Sequence, residues 1–171
     1  MTHNLSMNSW TFIIKDLKIC SINNAYATRD RRKTIATVKW IWSLKVQMLS
    51  HSEEIARIKA KFNHLVHFLE IEYYWFLPVK EIFTQRGTVN LRAGDWSNFP
   101  KIPDDCIFND VLGLEDGLVC KGTVYKLPSK VDYHVLKIVI KLHDITKLHI
   151  KSDLEFPSAL ISVSKDNLLS P

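Results

Sequence analysis

The residues with the clearest chemical potential lie near the centre of the chain. They run Gly94-Asp95-Trp96-Ser97-Asn98-Phe99-Pro100-Lys101, then Asp104-Asp105, then Glu115-Asp116-Gly117-Leu118-Val119. Two acidic points are separated by a short helical stretch and lead into an apolar run. A helix that goes out and a chain that returns can bring Asp95 and Asp116 to one edge of a sheet. Carboxylates gathered this way bind hard divalent cations, because Mg²⁺ takes oxygen ligands and keeps several of its waters. Such a metal activates water and offsets charge on a phosphodiester. Lys101 is spaced to add a positive charge where negative charge develops. The competing reading is that these acids are solvated caps that interact with a helix dipole.

The elements that must position them follow from periodicity. Trp10 to Cys20 reads as a first strand, with Phe12, Ile13, Ile14, Leu17 and Ile19. Ser21 to Lys33 is polar and basic and reads as a loop. From Thr34 a three- and four-residue period sets in. Ile35, Val38, Ile41 or Trp42, Leu44 or Lys45, and Met48 or Leu49 fall on one side of a helix. Ser50 and Glu53 have capping-box spacing for a second helix that carries Ile55, Ile58 and Phe62.

Leu65 to Leu77 alternates as a strand ended by Pro78. Leu65, His67, Leu69, Ile71, Tyr73, Trp75 and Leu77 share one side. Val66, Phe68, Glu70, Glu72, Tyr74 and Phe76 share the other. Glu81 to Gly94 reads as a loop or irregular strand end. A short helix is expected within Ser97 to Leu112, with an irregular beginning or a late start because of Pro100 and Pro103. Leu118 to Leu127 and Tyr133 to Ile145 are two further strands around a turn at Pro128 to Asp132. The expected fold class is α+β, a mixed β-sheet with packed helices in the order β-α-β-α-β-β. One domain over residues 1–150 is expected, with a C-terminal tail at 151–171.

The central stretch resembles the RusA family of Holliday junction resolvases, common in phages. That family carries D-x-D-N-x-x-K, then an aspartate four residues after the lysine, then an acidic pair at the start of a strand. Asp95, Asn98, Lys101 and Asp105 match in order, and Glu115 and Asp116 match the acidic pair. The 21-residue step from Asp95 to Asp116 and the 15-residue step from Lys101 to Asp116 need no gap. A looser likeness covers Asn23, Asn24 and the basic run Arg29, Arg31, Arg32 and Lys33 ahead of the long helix. Together the match spans roughly residues 10–145.

The resemblance implies a homodimer that binds four-way junctions in branched DNA and makes paired nicks with Mg²⁺ or Mn²⁺. It implies Asp95 and Asp116 as metal ligands, with Glu115 beside the metal, and Lys101 as the transition-state cation. It further implies that Asn98 contacts DNA or holds its loop, and that Asn23, Asn24, Arg29, Arg31, Arg32 and Lys33 contact DNA. Two departures stand out. Ser97 replaces the family's second aspartate, which removes one negative charge from the site. Gly94 replaces a residue that is often basic, and Arg92 stands two residues upstream as a substitute. The alternative is therefore a RusA-like DNA-binding or interaction protein with weakened catalysis.

Composition fits an anionic partner, since the formal net charge is +5. Cys20, Cys106 and Cys120 are odd in number and lack C-x-x-C spacing, so they read as reduced thiols. His64 and His67, placed on opposite sides of a strand, do not make a zinc site. Trp40, Trp42, Trp75, Tyr73 and Tyr74 are of a type that stacks on bases, but at these spacings they read as core or dimer interface. Trp96 reads as a loop anchor or a wedge at the junction. Lys137 and Lys141 either contact phosphate or keep a sheet face wet. The polar start from Met1 to Trp10 lacks the pattern of a signal peptide, and the most apolar stretch, Tyr73 to Val79, is too short to span a bilayer. A soluble cytoplasmic protein without a membrane partner is expected.

Overall fold

The computed structural model describes residues 8–18, 20, 26, 32–90 and 99–144. They form a mixed α+β arrangement. Strand β1 (Asn8–Lys15) precedes helices α1 (Ile35–Leu49) and α2 (Ser52–Lys61). Strand β2 (His67–Pro78) runs into the single turn α3 (Val79–Ile82). Helix α4 (Lys101–Asp104) continues as a π-helix over Asp105–Leu112, followed by a 3-10 turn at Asp116–Leu118. Strands β3 (Val119–Ser129) and β4 (Val135–Asp144) complete the sheet.

The sheet order is β1-β4-β2-β3. The β1/β4 and β4/β2 pairs are antiparallel, and β2/β3 is parallel. A parallel neighbour needs a crossover connection, and α4 with its π-helical continuation lies on that crossover.

One face of the sheet carries the core. Trp10, Phe12 and Ile14 of β1, Leu69, Ile71, Tyr73, Trp75 and Leu77 of β2, and Leu136, Ile138, Ile140 and Leu142 of β4 are all buried. Trp40, Leu44 and Met48 of α1, Ile55 and Ile58 of α2, and Ile102, Ile107, Phe108, Val111 and Leu112 of the crossover helix pack against them. The period-two pattern in β2 and β4 thus reads the core face directly.

The structure corrects three expectations. First, β1 stops at Lys15. Asp16 takes a left-handed φ of 53° and its N–H bonds the His134 carbonyl at 2.8 Å, which ends the pairing. Second, the apolar residues of α1 do not share one side. Thr37, Trp40, Leu44 and Met48 face the core. Ile35, Val38, Trp42 and Leu49 are exposed. Third, the Ser50–Glu53 capping box does not form. The Ser50 hydroxyl donates to the Gln47 carbonyl at 2.6 Å, and His51 occupies the cap position of α2 without a side-chain bond. The start of α1 is capped by Thr34, whose Oγ1 accepts from the Thr37 N–H at 3.2 Å.

The second sheet face carries an ion-pair network. The Glu70 carboxylate lies 2.9 Å from Lys121 Nζ, 3.2 Å from Lys141 Nζ and 2.8 Å from His143 Nε2. Lys141 also reaches Glu72 at 2.6 Å. Lys137 Nζ stands 5.1 Å over the Tyr74 ring, which stacks on Tyr125. Burial alone would raise the Glu70 carboxyl, but bonds from Lys121, Lys141 and His143 outweigh it and hold it at about 2. Lys141 is thereby committed to holding the sheet together.

Candidate active site

The site is built on the crossover from β2 to β3. Phe99 is buried, sets its ring edge-on to Trp75 at 5.9 Å, and lies beneath the Lys126 ammonium at 5.4 Å. This contact fixes the chain where it enters α4. Pro100 takes the N-cap position, where the missing N–H costs nothing. Lys101 is the first helical residue, and its stem emerges toward solvent.

The π-helical stretch ends at Gly113, whose φ of 66° lets the chain reverse while the Leu114 N–H closes on the Phe108 carbonyl at 2.9 Å. The reversal returns Asp116 to the helix it has just left. Lys101 Nζ is 2.8 Å from Asp105 Oδ1 and 3.4 Å from Asp116 Oδ2. These bonds raise the Lys101 ammonium above its ordinary range, Asp105 contributing first, so it stays charged at any physiological pH.

A fourth group stands behind the pair. The Tyr73 hydroxyl, on the buried face of β2, donates to Asp104 Oδ1. Burial pushes the Asp104 carboxyl up to about 6, against the Tyr73 bond and the Lys101 charge, and the Asp105 and Asp116 carboxylates push the same way. The Tyr73–Asp104 bond ties the helix carrying Lys101 to the middle of the sheet. Sequence reasoning reads Tyr73 only as core or dimer interface and assigns Asp104 no role of its own. The available signal was Asp104 three residues after Lys101, together with a tyrosine at an otherwise aliphatic or tryptophan position of the β2 core face.

Of the residues singled out from sequence, the structure brings Lys101 and Asp116 together, with Asp105 completing the contact. Glu115 is exposed and caps the 3-10 turn through its carbonyl, which accepts from the Leu118 N–H at 3.1 Å. Arg32 and Lys33 are exposed just ahead of α1. Lys33 and Lys45 both act on the Cys106 thiol, which burial nonetheless raises to about 12. Lys45 also ties α1 to the π-helical stretch directly, 3.4 Å from Asp110 Oδ2. Asn23, Asn24, Arg29, Arg31, Asp95, Trp96, Ser97 and Asn98 lie outside the described residues.

No protein-family model matches the chain, and no curated protein does. The functional reading therefore rests on the residues themselves. Asp105 and Asp116 both present carboxylate oxygens to the one Lys101 ammonium at a partly exposed edge. Among the described residues no group of three His, Cys, Asp or Glu side chains converges on one point. No helix among the described residues is long and apolar enough to cross a membrane. Cys20, Cys106 and Cys120 are unpaired, at half-buried, buried and exposed positions respectively.

Proposed function

We propose that the chain is a Mg²⁺-dependent endonuclease of RusA-like character that hydrolyses phosphodiester bonds in branched DNA, four-way junctions above all. The observation that carries the reading is the Lys101–Asp116 contact at 3.4 Å, made across a crossover helix and fastened by Asp105. A lysine at the start of the crossover helix and an acid in the turn that follows it meet at a partly exposed edge, an arrangement compatible with metal-assisted phosphodiester hydrolysis once Asp95 and Glu115 join it.

Asp116, with Asp95 and Glu115, would hold the ion. Mg²⁺ or Mn²⁺, when bound, supplies an activated water and neutralises charge on the phosphate. Lys101 stabilises charge that develops on the non-bridging oxygens. Asp105 positions the Lys101 ammonium, and the Tyr73–Asp104 bond positions the helix. Arg32 and Lys33, with Asn23, Asn24, Arg29, Arg31 and Asn98, contact the DNA backbone. Two sites in a homodimer would act on symmetric strands and give paired nicks in the cytoplasm of a host cell.

The experiment is a nicking assay on a synthetic four-way junction with Mg²⁺ or Mn²⁺, run beside linear duplex. Selective cutting of the junction supports the proposal, and binding without cutting under any divalent ion opposes it. Ser97 motivates a second reading, a junction-binding protein with lost catalysis. Gain of cutting in Ser97→Asp would favour that reading.

A further inference from the structure

Helix α1 carries an apolar stripe on the side turned away from the sheet. Ile35, Val38, Trp42, Val46 and Leu49 are all exposed, Ile35 at 77% and Trp42 at 68%. At 3.6 residues per turn they fall within an arc of roughly 80° centred on Trp42. Thr37, Trp40, Leu44 and Met48 seat the same helix on the core from the opposite side. Large apolar side chains in one continuous exposed stripe mark an interaction surface.

The flanks of the stripe say what it meets. Lys39 and Lys45 lie about 60° to either side of Trp42, just outside the aliphatic residues. Lys39 is exposed, and Lys45 stays partly exposed while paired with Asp110. A tryptophan in mid-stripe, aliphatics on both sides of it and lysines along both margins suit a helix lying in a membrane interface. The amphipathic indole rests at headgroup level, and lysine stems cover apolar surface while their ammonium groups reach lipid phosphates.

Charge selects the lipid. The sequence from Arg31 to Ser52 contains Arg31, Arg32, Lys33, Lys39 and Lys45 and no acidic residue. A surface of that sign is attracted to anionic headgroups and gains nothing from zwitterionic ones. Shape favours lipid over a folded partner. The stripe is the crest of one helix, about 22 Å long, to which a folded partner must bring a matching groove, whereas the headgroup layer yields around it.

We propose that α1 is a reversible docking face for an anionic lipid surface, with Trp42 inserted at headgroup level and Lys39 on the lipid phosphates. The helix lies on the bilayer and does not cross it, since about 20 apolar residues are needed to span. This revises the expectation of a chain without a membrane partner. A single stripe gives binding on the order of the 10⁴ M⁻¹ that one acyl chain supplies.

The inference does not rest on the nuclease reading, because no DNA enters its test. The full chain is mixed with vesicles of phosphatidylcholine alone or with roughly one-third phosphatidylglycerol, at about 0.01 to about 1 mM lipid, and bound protein is measured by flotation. The wild type should float with the anionic vesicles, stay behind with phosphatidylcholine alone, and bind more weakly as salt rises. Trp42→Ser should lower the partition constant by about tenfold or more, and Val38→Ser should lower it in the same direction. Both side chains are exposed, so circular dichroism and melting should not change. Lys39→Glu should also weaken binding. A wild type that floats with neither vesicle would overturn the proposal and leave the stripe to a protein partner. Equal binding to both vesicles would overturn the choice of an anionic surface. Anionic binding that Trp42→Ser and Val38→Ser leave unchanged would assign it to the basic residues alone and overturn the role of the stripe.

Discussion

Glu70→Gln isolates the electrostatic work done by the sheet. The Glu70 side chain is 5% exposed and bonded to three cationic side chains. Holding its carboxyl at about 2 instead of the ordinary 4.5 corresponds to about 3 kcal/mol. Lys121 is 62% exposed, so its share is screened by solvent, and about 2 kcal/mol is the realised figure. A depressed carboxyl contributes stability that is fully present above its unfolded value and is lost as pH falls through the folded one. The wild type should therefore exceed Glu70→Gln by about 2 kcal/mol near pH 7 in urea melts. The gap should close between about 4.5 and about 2. An equal gap at both ends of that window would show that Gln fails through packing, and the charge account would be wrong.

Other consequences follow from the site. Lys101→Met should change stability by less than about 1 kcal/mol, because its two ion pairs are partly exposed, yet slow cutting by about 10²–10³-fold. Melts and single-turnover rates on the same variant check this, and a parallel loss of both would assign Lys101 a structural role. Asp104→Asn tests the raised carboxyl. Its contribution is present below the ordinary aspartate range and is lost as pH rises through about 6. The variant should gain about 1–3 kcal/mol on the wild type between about pH 4 and about pH 7.5, measured by urea melts. Junction affinity should fall log-linearly with salt, and Lys33→Ala should lower the slope by about 1. A slope that Lys33→Ala leaves unchanged removes that residue from the DNA contact.

Much of the fold was legible because β2 and β4 obey period-two burial with aliphatic and aromatic residues on one face. Helix α1 was harder. Its two opposed apolar stripes make the core side ambiguous to periodicity, which groups Ile35 and Val38 with either Leu44 or Lys45 and either Met48 or Leu49. The capping box at Ser50 failed because the hydroxyl found a nearer acceptor in its own helix, a competition that residue spacing does not encode. At the site, residue type and spacing bring Lys101 and Asp116 to one place but do not show the ion pair that Asp105 completes. The Tyr73–Asp104 bond was not legible, since it joins positions 31 residues apart and depends on how far the crossover helix settles onto β2. The Glu70 network was half visible: alternation puts Glu70 and Glu72 on one face, but their cations come from the register with β3 and β4.

The most direct measurement is cutting of a synthetic four-way junction by wild type, Asp95→Asn and Asp116→Asn in the presence of Mg²⁺ or Mn²⁺, with junction binding followed in parallel. The account predicts paired nicks from the wild type and none from either variant, while both variants still bind. Undiminished nicking by Asp116→Asn, or an inert wild type that binds the junction no better than linear duplex, would contradict it.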